Sequence, residues 1–395
     1  MRLALLTHEP FYPPSGGGSA EANYLVSELT RRGHEVHLFC PDFPERDAVA
    51  ARFGITVHPF TGWEMGRYTR LRSLKYLAYP GAPRRLVRRT ARDISFDAIL
   101  SQHAISAVAA GKLKADLGVP VVMNFLDFLT GFMESWPAWA MPRFVLRRLM
   151  AYELSLPKRH DADAVLTVSD ELARRFAETG YAADRLLPIR YGHDAKLFQP
   201  RTENREPRTE HLGTVAMHGS FDTHHLGPIA IRAITKIALA KPETHFLFIG
   251  RETDAVKKLA KRVFAAAPLA KLECTGFVPY GEVAQRLGQA GVGIIPYESS
   301  SGTHCAFVAK LVEYAALGLP VVSTPLAGVK SFFGDEPSVR FSTFDGAQFA
   351  NDVIDLLDNP PPRAESERLA RRVAAKLDWP VICAKAVDRL EAIVS

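Results

Sequence analysis

The segment KLVEYAALGLPVVSTP, which begins at Lys310, combines a cation and a carboxylate at helical spacing. Lys310 and Glu313 lie three residues apart, so a helix would present both side chains on one face. Gly318 and Pro320 end that helix, and a buried strand is predicted from Val321. A ligand with phosphates at one end and hydroxyls at the other, such as a nucleotide-sugar, would suit this pair. A surface ion pair on an ordinary helix is the alternative.

Three consecutive glycines, Gly16, Gly17 and Gly18, follow the first predicted strand and enter a helix. Glycines let a backbone approach a ligand closely, and N–H groups at a helix start attract phosphate. The loop has neither the GxGxxG spacing nor the lysine of a P-loop, which argues against the usual dinucleotide and NTPase motifs. We predict that these glycines bind the phosphates of the nucleotide-sugar, which we call the donor. A plain turn is the alternative.

A second loop, MHGSFDTHH, opens the second half of the chain. Gly219, Ser220 and His225 are predicted to bind the phosphates of a donor. His224 and His225 are adjacent rather than four residues apart on a helix, and the sequence shows no obvious third ligand. We therefore expect no metal site here.

Two further positions follow strands of the second half. Arg251 comes directly after one strand and could reach a diphosphate, although a solvated arginine is equally consistent with the sequence. Phe277 and Val278 follow the next strand and could pack against a nucleobase.

The first half contains candidate acceptor and catalytic residues at strand ends. Asp127 lies just past a strand, among apolar neighbours in the segment NFLDFLTG. Such surroundings tend to raise a carboxyl pKa, which suits a general base; capping of the next helix is the alternative. His103 and Asn124, each at a strand end, are predicted to bind the acceptor. A hydrogen-bonded structural histidine is the alternative for His103.

Composition limits the class of protein. The 395 residues exceed one ordinary core and predict two domains. Hydrophobic residues make up 47% and charged residues 23% of the chain, as in globular proteins, and no run is long enough to span a membrane. The N-terminus lacks the pattern of a signal peptide. The four cysteines are scattered without CxxC spacing, which fits a reducing cytoplasm and argues against a disulfide framework or zinc site.

Positive charge is concentrated in residues 63–95, where nine lysines and arginines face only Glu64 and Asp93. With the tryptophans and arginines of residues 136–148, this region resembles a patch that binds an anionic membrane surface. Nucleic-acid binding is not expected because no DNA- or RNA-binding motif accompanies the charge. A solvated helical face is the remaining alternative.

The order of elements predicts the fold. Strands alternate with helices in both halves, which indicates α/β architecture with parallel sheets. The polar stretch QPRTENREPRTEH, residues 199–211, is predicted to link them. We expect an N-terminal domain over 1–200, completed by a helix at about 378–395, and a C-terminal domain over 201–377. Two Rossmann-like, doubly wound domains facing a central cleft would bring ligand loops together at the carboxyl ends of the strands.

Several segments together resemble the GT-B fold glycosyltransferases related to family GT4. They are the early glycine loop with the helix ending RRGHEV, the segments VLTVSDELARRF and IRYGHDAKLFQP, then GFVPYGEVAQRLGQAGVGIIPY and KLVEYAALGLPVV. The resemblance covers nearly the whole chain. The KLxEY form is similar to a subgroup acting in polysaccharide assembly, including enzymes similar to the xanthan glucuronosyltransferase.

The chain also departs from the family pattern. Many relatives carry two glutamates separated by seven residues, and here Cys305 takes the place of the first. An arginine and a lysine commonly hold the diphosphate, and Ser220 and His225 stand at those positions. The resemblance then leaves Lys310 as the cation for the donor phosphates.

The resemblance implies metal-independent transfer of a sugar from a nucleoside diphosphate to an acceptor hydroxyl, with no cofactor beyond the nucleotide-sugar. Lys310 would neutralise the leaving diphosphate, Glu313 would accept from the ribose hydroxyls, and Asp127 would take the acceptor proton if the reaction inverts. The acceptor would be a sugar or a lipid-linked precursor at the cytoplasmic membrane face. An epimerase of the same fold and a non-catalytic nucleotide-sugar-binding relative are the alternatives.

Overall fold

The computed structural model describes residues 1–13, 17–61, 76, 79–200 and 213–394. These residues form two compact units, Met1–Arg190 with Trp379–Ser395, and Tyr191–Asp378. Each unit is a parallel sheet covered by helices, so the predicted α/β class with two Rossmann-like domains is confirmed. The division of the chain falls after Arg190, ahead of the expected boundary at 200. Residues 201–212, most of the predicted linker, lie outside the described residues.

The first unit contains a seven-stranded parallel sheet in the order β3-β2-β1-β4-β5-β6-β7. Its strands are β1 Arg2–Leu6, β2 Glu35–Pro41, β3 Thr56–Phe60, β4 Ala98–Gln102, β5 Val121–Phe125, β6 Ala164–Thr167 and β7 Leu186–Pro188. Its described helices up to β7 are α1 Gly17–Arg31, α2 Arg46–Phe53, α3 Gly81–Thr90, α4 His103–Leu117, α5 Arg143–Arg159 and α6 Asp170–Glu178, with short 3-10 helices at Gly131–Ser135 and Ala183–Arg185.

The second unit contains a six-stranded parallel sheet in the order β10-β9-β8-β11-β12-β13. Its strands are β8 Thr214–His218, β9 His245–Ile249, β10 Lys271–Cys274, β11 Val292–Ile295, β12 Val321–Ser323 and β13 Val339–Phe341. Its described helices are α7 Pro228–Ala240, α8 Asp254–Ala266, α9 Tyr280–Leu287, α10 Ser301–Cys305, α11 Ala309–Ala316, α12 Ala327–Phe333, α13 Gly346–Asp358 and α14 Arg363–Leu377.

The central strands of both sheets are short apolar runs with helices on both faces. Residues Leu3 to Leu6 of β1 are fully buried, and all five residues of β8 are buried. Leu5 lies opposite Leu38 on one side and Leu100 on the other, so aliphatic side chains fill the middle of the first sheet. Continuous burial on both faces is what a parallel sheet requires, and it explains why these strands were recognisable from sequence.

A last helix, α15 Trp379–Val394, belongs to the first unit although it follows the second in sequence. The Trp379 ring stacks on Tyr24 of α1 with centroids 5.4 Å apart. Arg32 donates to the carboxylates of Asp388 at 2.7 Å and Glu391 at 2.9 Å. The expected returning helix is therefore present and is attached through α1.

Strand order reverses direction between β1 and β4 in the first sheet and between β8 and β11 in the second. Loops at the carboxyl ends of such strands diverge to opposite faces and leave a crevice where ligands commonly bind. These two sheet edges therefore position the candidate site residues described next.

Candidate active site

Lys310 of α11 reaches the carboxyl end of β8. Its side chain is only 9% exposed, and its Nζ donates to the hydroxyl of Tyr297 at 3.0 Å. Gly219, which follows β8 with φ +99°, lies so close that an added Cβ would be 3.2 Å from Nζ. The glycine is exposed while the lysine is buried, so the missing side chain leaves the ammonium group close to the surface. Burial lowers the pKa of Lys310 to about 8, and the carboxylates of Glu313 and Asp222 oppose this fall.

Glu313 is engaged by protein groups on both of its oxygens. One oxygen pairs with Nε2 of His218, the last residue of β8, and the other accepts from the Tyr280 hydroxyl at 2.9 Å. The carboxylate is 5% exposed. The alternative of a surface ion pair on an ordinary helix is therefore wrong, because both residues of the pair are buried. A nucleotide hydroxyl would have to share or displace one of these partners to reach Glu313.

The burial of α11 follows from its sequence. Every residue from Lys310 to Ala316 is buried, because α11 packs against β11, β12 and α14 and carries apolar side chains on all sides. Tyr314 fills the space above Gly293 of β11, where an added Cβ would come within 2.6 Å of the ring. Lys310 and Glu313 therefore share one interior environment at the edge of the sheet, and the same helix fixes both.

The loop after β8 gathers Asp222, His224 and His225 around one carboxylate. Asp222 Oδ1 lies 2.6 Å from Nδ1 of His224 and 3.2 Å from Nδ1 of His225. Asp222 is a potential third ligand that the sequence did not reveal, because the ligand atoms of these three residues all lie within 4.8 Å of one another and could hold a divalent ion.

The charge state of this loop affects the predicted role of His225. Burial and, to a smaller extent, the neighbouring His224 lower the pKa of His225 to about 3. Burial opposes ionisation of Asp222, but the two histidines outweigh it and hold the pKa of this carboxyl below its ordinary range. At neutral pH His225 is uncharged, so it could offer phosphate an N–H group but not a fixed positive charge. Ser220 is exposed at the start of the same loop.

Arg251 and Phe277 form a pair beyond β9 and β10. The Arg251 guanidinium lies 5.2 Å from the centroid of the Phe277 ring, which is 65% exposed. Val278 beside them is half-buried. An exposed ring backed by a cation offers a stacking surface for a planar group.

The loop after β5 carries Asp127 in a half-buried position between buried residues. The carboxyl group fully buried in this region is Glu153 of α5, which sequence reasoning did not single out. It accepts backbone N–H groups from Leu129 at 3.0 Å and Thr130 at 2.8 Å, and the Tyr76 hydroxyl at 3.1 Å. Burial raises the pKa of Glu153. This clamp fixes the turn directly after Asp127.

A second polar cluster of the first unit lies where β4 and β5 end. Glu21 of α1 accepts from the Gln102 amide at 2.7 Å and from the Asn124 amide at 2.8 Å. Burial raises the pKa of Glu21 to about 7, and the two amides act against that rise. Asn124 and His103, both predicted acceptor residues, thus lie at one sheet edge with Glu21. Sequence reasoning did not distinguish this glutamate from the other residues of α1.

The three glycines of the first loop are described only in part. Gly17 and Gly18 form the first turn of α1, which begins earlier than expected, so their backbone N–H groups lie at a helix N-terminus. Gly16 lies outside the described residues.

The predicted basic region is likewise described in part. Of its cations, Arg67, Arg70, Arg72 and Lys75 lie outside the described residues. On α3, Arg84 is bound to Asp116 through two bonds of 2.7 Å, whereas Arg85 is exposed. In residues 136–148, the exposed aromatic groups are Trp139 at 70% and Phe144 at 59%. Among the helices that the model describes, none has the length and apolar character to cross a bilayer.

Solved structures share this fold. The chain is similar to the crystal structure of Anabaena Alr3699/HepE in complex with UDP, with a TM-score of 0.75 and 16% identity over 99% of this chain and 100% of that one. This similarity and the two parallel-sheet units show the GT-B fold.

Two family models cover most of the chain. Residues 16–192 match the model described as Glycosyl transferase 4-like domain, and residues 214–359 match Glycosyl transferases group 1. The chain is 25% identical to a GDP-mannose-dependent alpha-mannosyltransferase of Mycolicibacterium smegmatis, covering 100% of this chain and 98% of that protein. It is 23% identical to the protein of the same name from Mycobacterium tuberculosis, covering 100% and 97%. The chain therefore carries GT4-type glycosyltransferase domains over most of its length.

Proposed function

We propose that the protein transfers the hexose of a purine nucleoside-diphosphate sugar to a sugar hydroxyl on a lipid-linked acceptor. GDP-mannose is the first candidate for the donor. The observation that carries the proposal is the buried Lys310 ammonium group beneath Gly219 at the carboxyl end of β8. A cation held in a low-dielectric interior, with no side chain between it and the surface at Gly219, suits the charge that develops on a leaving diphosphate.

The other residues take roles around that lysine. Backbone N–H groups near Gly219 and Ser220 and the imidazole of His225 donate to the phosphates. Arg251 and Phe277 stack on the base, and Glu313 exchanges Tyr280 for a ribose hydroxyl. The two relatives named for GDP-mannose support the choice of donor. Asp127, half-buried just past β5, takes the acceptor proton if the reaction inverts the anomeric configuration.

Membrane association forms part of this proposal. Exposed Trp139 and Phe144 lie in a segment with exposed Arg147 and Arg148, and Arg85 adds charge on α3. Aromatic rings and arginines together suit the interface of an anionic bilayer, where a lipid-linked acceptor would be presented.

Titration calorimetry tests the donor site directly. The purified chain should bind GDP, and Lys310→Ala should weaken that binding by roughly 10²-fold, as removal of one preorganised donor to an oxyanion does. Lys330→Ala, on the exposed face of α12, is the matched control and should bind as the wild type does. Unchanged GDP affinity in Lys310→Ala would remove Lys310 from the phosphate site.

Product analysis tests the reaction. Incubation with radiolabelled GDP-mannose and a membrane lipid extract should move label into the organic phase, whereas UDP-glucose should compete poorly. Labelled nucleotide-sugar that is bound but never transferred to lipid or sugar would contradict the proposed transfer.

A further inference from the structure

One buried glutamate of the first unit has no role in the reaction as described so far. Glu153 of α5 is fully buried, although burial of an ionisable group is unfavourable. Among the described residues, the groups that donate to it are uncharged: the Tyr76 hydroxyl and two consecutive backbone N–H groups. Such a cost persists mainly where a particular local geometry is required.

The two oxygens of Glu153 hold two successive peptide groups. Oε1 accepts the N–H of Leu129 at 3.0 Å, and Oε2 accepts the N–H of Thr130 at 2.8 Å. Peptide groups are planar, so one hydrogen bond to each of two neighbouring planes restrains the orientation of both. Glu153 belongs to a helix of 17 residues. A rigid element therefore determines the path of this turn.

The turn anchored by Glu153 carries Asp127. From Val121 to Gly131, every residue except Asp127 is buried, and Asp127 is half-buried. On its N-terminal side, the carbonyl oxygen of Phe125 accepts the N–H of Val168 at 3.0 Å. The backbone is thus fixed before Asp127 by the sheet and after it by Glu153, and Asp127 is the residue of this run that reaches solvent.

The position of Asp127 matters because it is the residue proposed to take the acceptor proton. A displacement of about 1 Å can lower the rate of a catalysed step about 100-fold. Asp127 lies in a loop, where no ladder of backbone hydrogen bonds holds it. Its precision must come from the groups that hold the loop, and Glu153 holds the two peptide groups that follow Phe128 and Leu129.

We propose that Glu153 is a positioning residue that holds the Asp127 carboxylate in place against the acceptor hydroxyl. It acts through the backbone of Leu129 and Thr130 and, being fully buried, does not touch the acceptor itself. This inference rests on the proposed function and deepens it, because it assigns the group on which the geometry of the acceptor side depends.

A double-mutant cycle tests the inference. Glu153→Gln keeps the size of the side chain but replaces one acceptor oxygen by NH₂, so one of the two backbone bonds is lost. We expect the initial rate of label transfer from GDP-mannose to a limiting amount of membrane lipid extract to fall about tenfold, as displacement of a catalytic group does. The affinity for GDP should stay the same. Glu178→Gln, an exposed glutamate of α6, is the matched control.

The second arm of the cycle separates positioning from stability. In the Asp127→Asn background, Glu153→Gln should cause almost no further loss of transfer, because the carboxylate that it positions is already gone. Equal losses in the two backgrounds would show a structural role and overturn the inference. Normal transfer by either single variant would overturn it as well, and the donor site would stand. A wild-type protein that binds no GDP or transfers no label would instead remove the proposed function.

Tyr76→Phe shows which contact of Glu153 matters. It removes the hydroxyl that donates to Oε2 but leaves both backbone bonds, so transfer should stay close to that of the wild type. A loss as large as that of Glu153→Gln would assign the effect to Tyr76 and overturn the role of the turn.

Two further measurements decide the question if Glu153→Gln fails to fold. Glu153→Asp keeps the charge but is one methylene shorter, so it should show the same loss and the same behaviour in the cycle. Hydrogen exchange of the wild type, followed by mass spectrometry, should find the N–H groups of Leu129 and Thr130 as slow as those within α5. Rapid exchange at these two groups would show that Glu153 does not hold the turn and would overturn the inference.

Discussion

Each unit buries a carboxyl group at the carboxyl edge of its sheet, but the two groups have different partners. Glu313 pairs with His218 and Tyr280 and interacts with the Lys310 charge. Among the described residues, Glu21 is hydrogen-bonded by the neutral amides of Gln102 and Asn124. A cluster that already contains a cation can receive an anionic diphosphate. The amides that hold the other carboxyl group are neutral and bring no positive charge toward an anion. The comparison teaches that two carboxyl groups buried to a similar depth can have very different electrostatic surroundings.

The largest expected effect concerns the stability contributed by Glu21. Its pKa rises from 4.5 to about 7 on folding, so the folded state keeps its proton to a higher pH than the unfolded chain. Stability is therefore greatest below pH 4.5 and falls as the pH rises to 7, by about 3 kcal/mol in total. Glu21→Gln should remove this loss and raise the free energy of unfolding at pH 8.

Urea unfolding of both proteins at pH 5 and pH 8 measures this effect. The variant should gain on the wild type at pH 8 and much less at pH 5. Equal stability of the two proteins at pH 8 would show that ionisation of the buried Glu21 costs no stability. The contrast between the two units would then disappear.

The next effect concerns the base assigned to Asp127. Asp127→Asn should reduce sugar transfer roughly 10²-fold, because a general base contributes that much, while GDP binding in the other unit stays normal. The anomeric configuration of the product, determined by NMR, decides the mechanism: inversion requires a base. A retained configuration with near-normal turnover would dismiss Asp127 from this role.

A smaller effect is expected in the pH dependence of GDP binding, through the titration of Lys310. The pKa of Lys310 is lowered to about 8, so its ammonium form dominates below pH 8 and disappears above it. The affinity for GDP should fall by up to roughly tenfold per pH unit above 8, as expected for the loss of one proton. Calorimetry between pH 7 and 10 measures this, and Lys310→Ala should flatten the curve. Equal pH dependence in the variant would assign the titration to another group.

The smallest expected effect tests the membrane surface. Arg85 is exposed, whereas Arg84 is tied to Asp116. Arg85→Ala should weaken binding to phosphatidylserine vesicles about fivefold, since a basic residue near an anionic surface contributes about 1 kcal/mol. Arg363→Ala, in the second unit, is the control. Sedimentation with vesicles that is identical for all three proteins would argue for a merely solvated face on α3.

The fold was largely accessible from the sequence because strands buried on both faces are continuous apolar runs bounded by glycine and proline. The strand predicted from Val321 begins at that residue, as β12 Val321–Ser323. β7, Leu186–Pro188, was missed, since three residues ending in proline carry no strand pattern of their own. The early start of α1 was missed because glycines at a helix start look like a loop.

The site was less accessible because its chemistry depends on neighbours distant in sequence. Lys310 and Glu313 stood out by their spacing, but their burial follows from packing against α14. Glu21 looked like any acidic residue of a surface helix, and only the ends of β4 and β5 show what it contacts. Asp222 was overlooked although it precedes His224 and His225 by only two and three residues, because it is the turn after β8 that brings its carboxylate onto both rings.

The return of α15 to the first unit has a consequence for synthesis of the protein. Trp379 stacks on Tyr24, and Arg32 pairs with Asp388 and Glu391, so α1 lacks these partners until α15 is made. During synthesis, the first unit therefore remains incomplete until the whole of the second unit has been translated. A stop codon before residue 379 would therefore remove a helix of the domain encoded first, although that domain's own sheet precedes the stop.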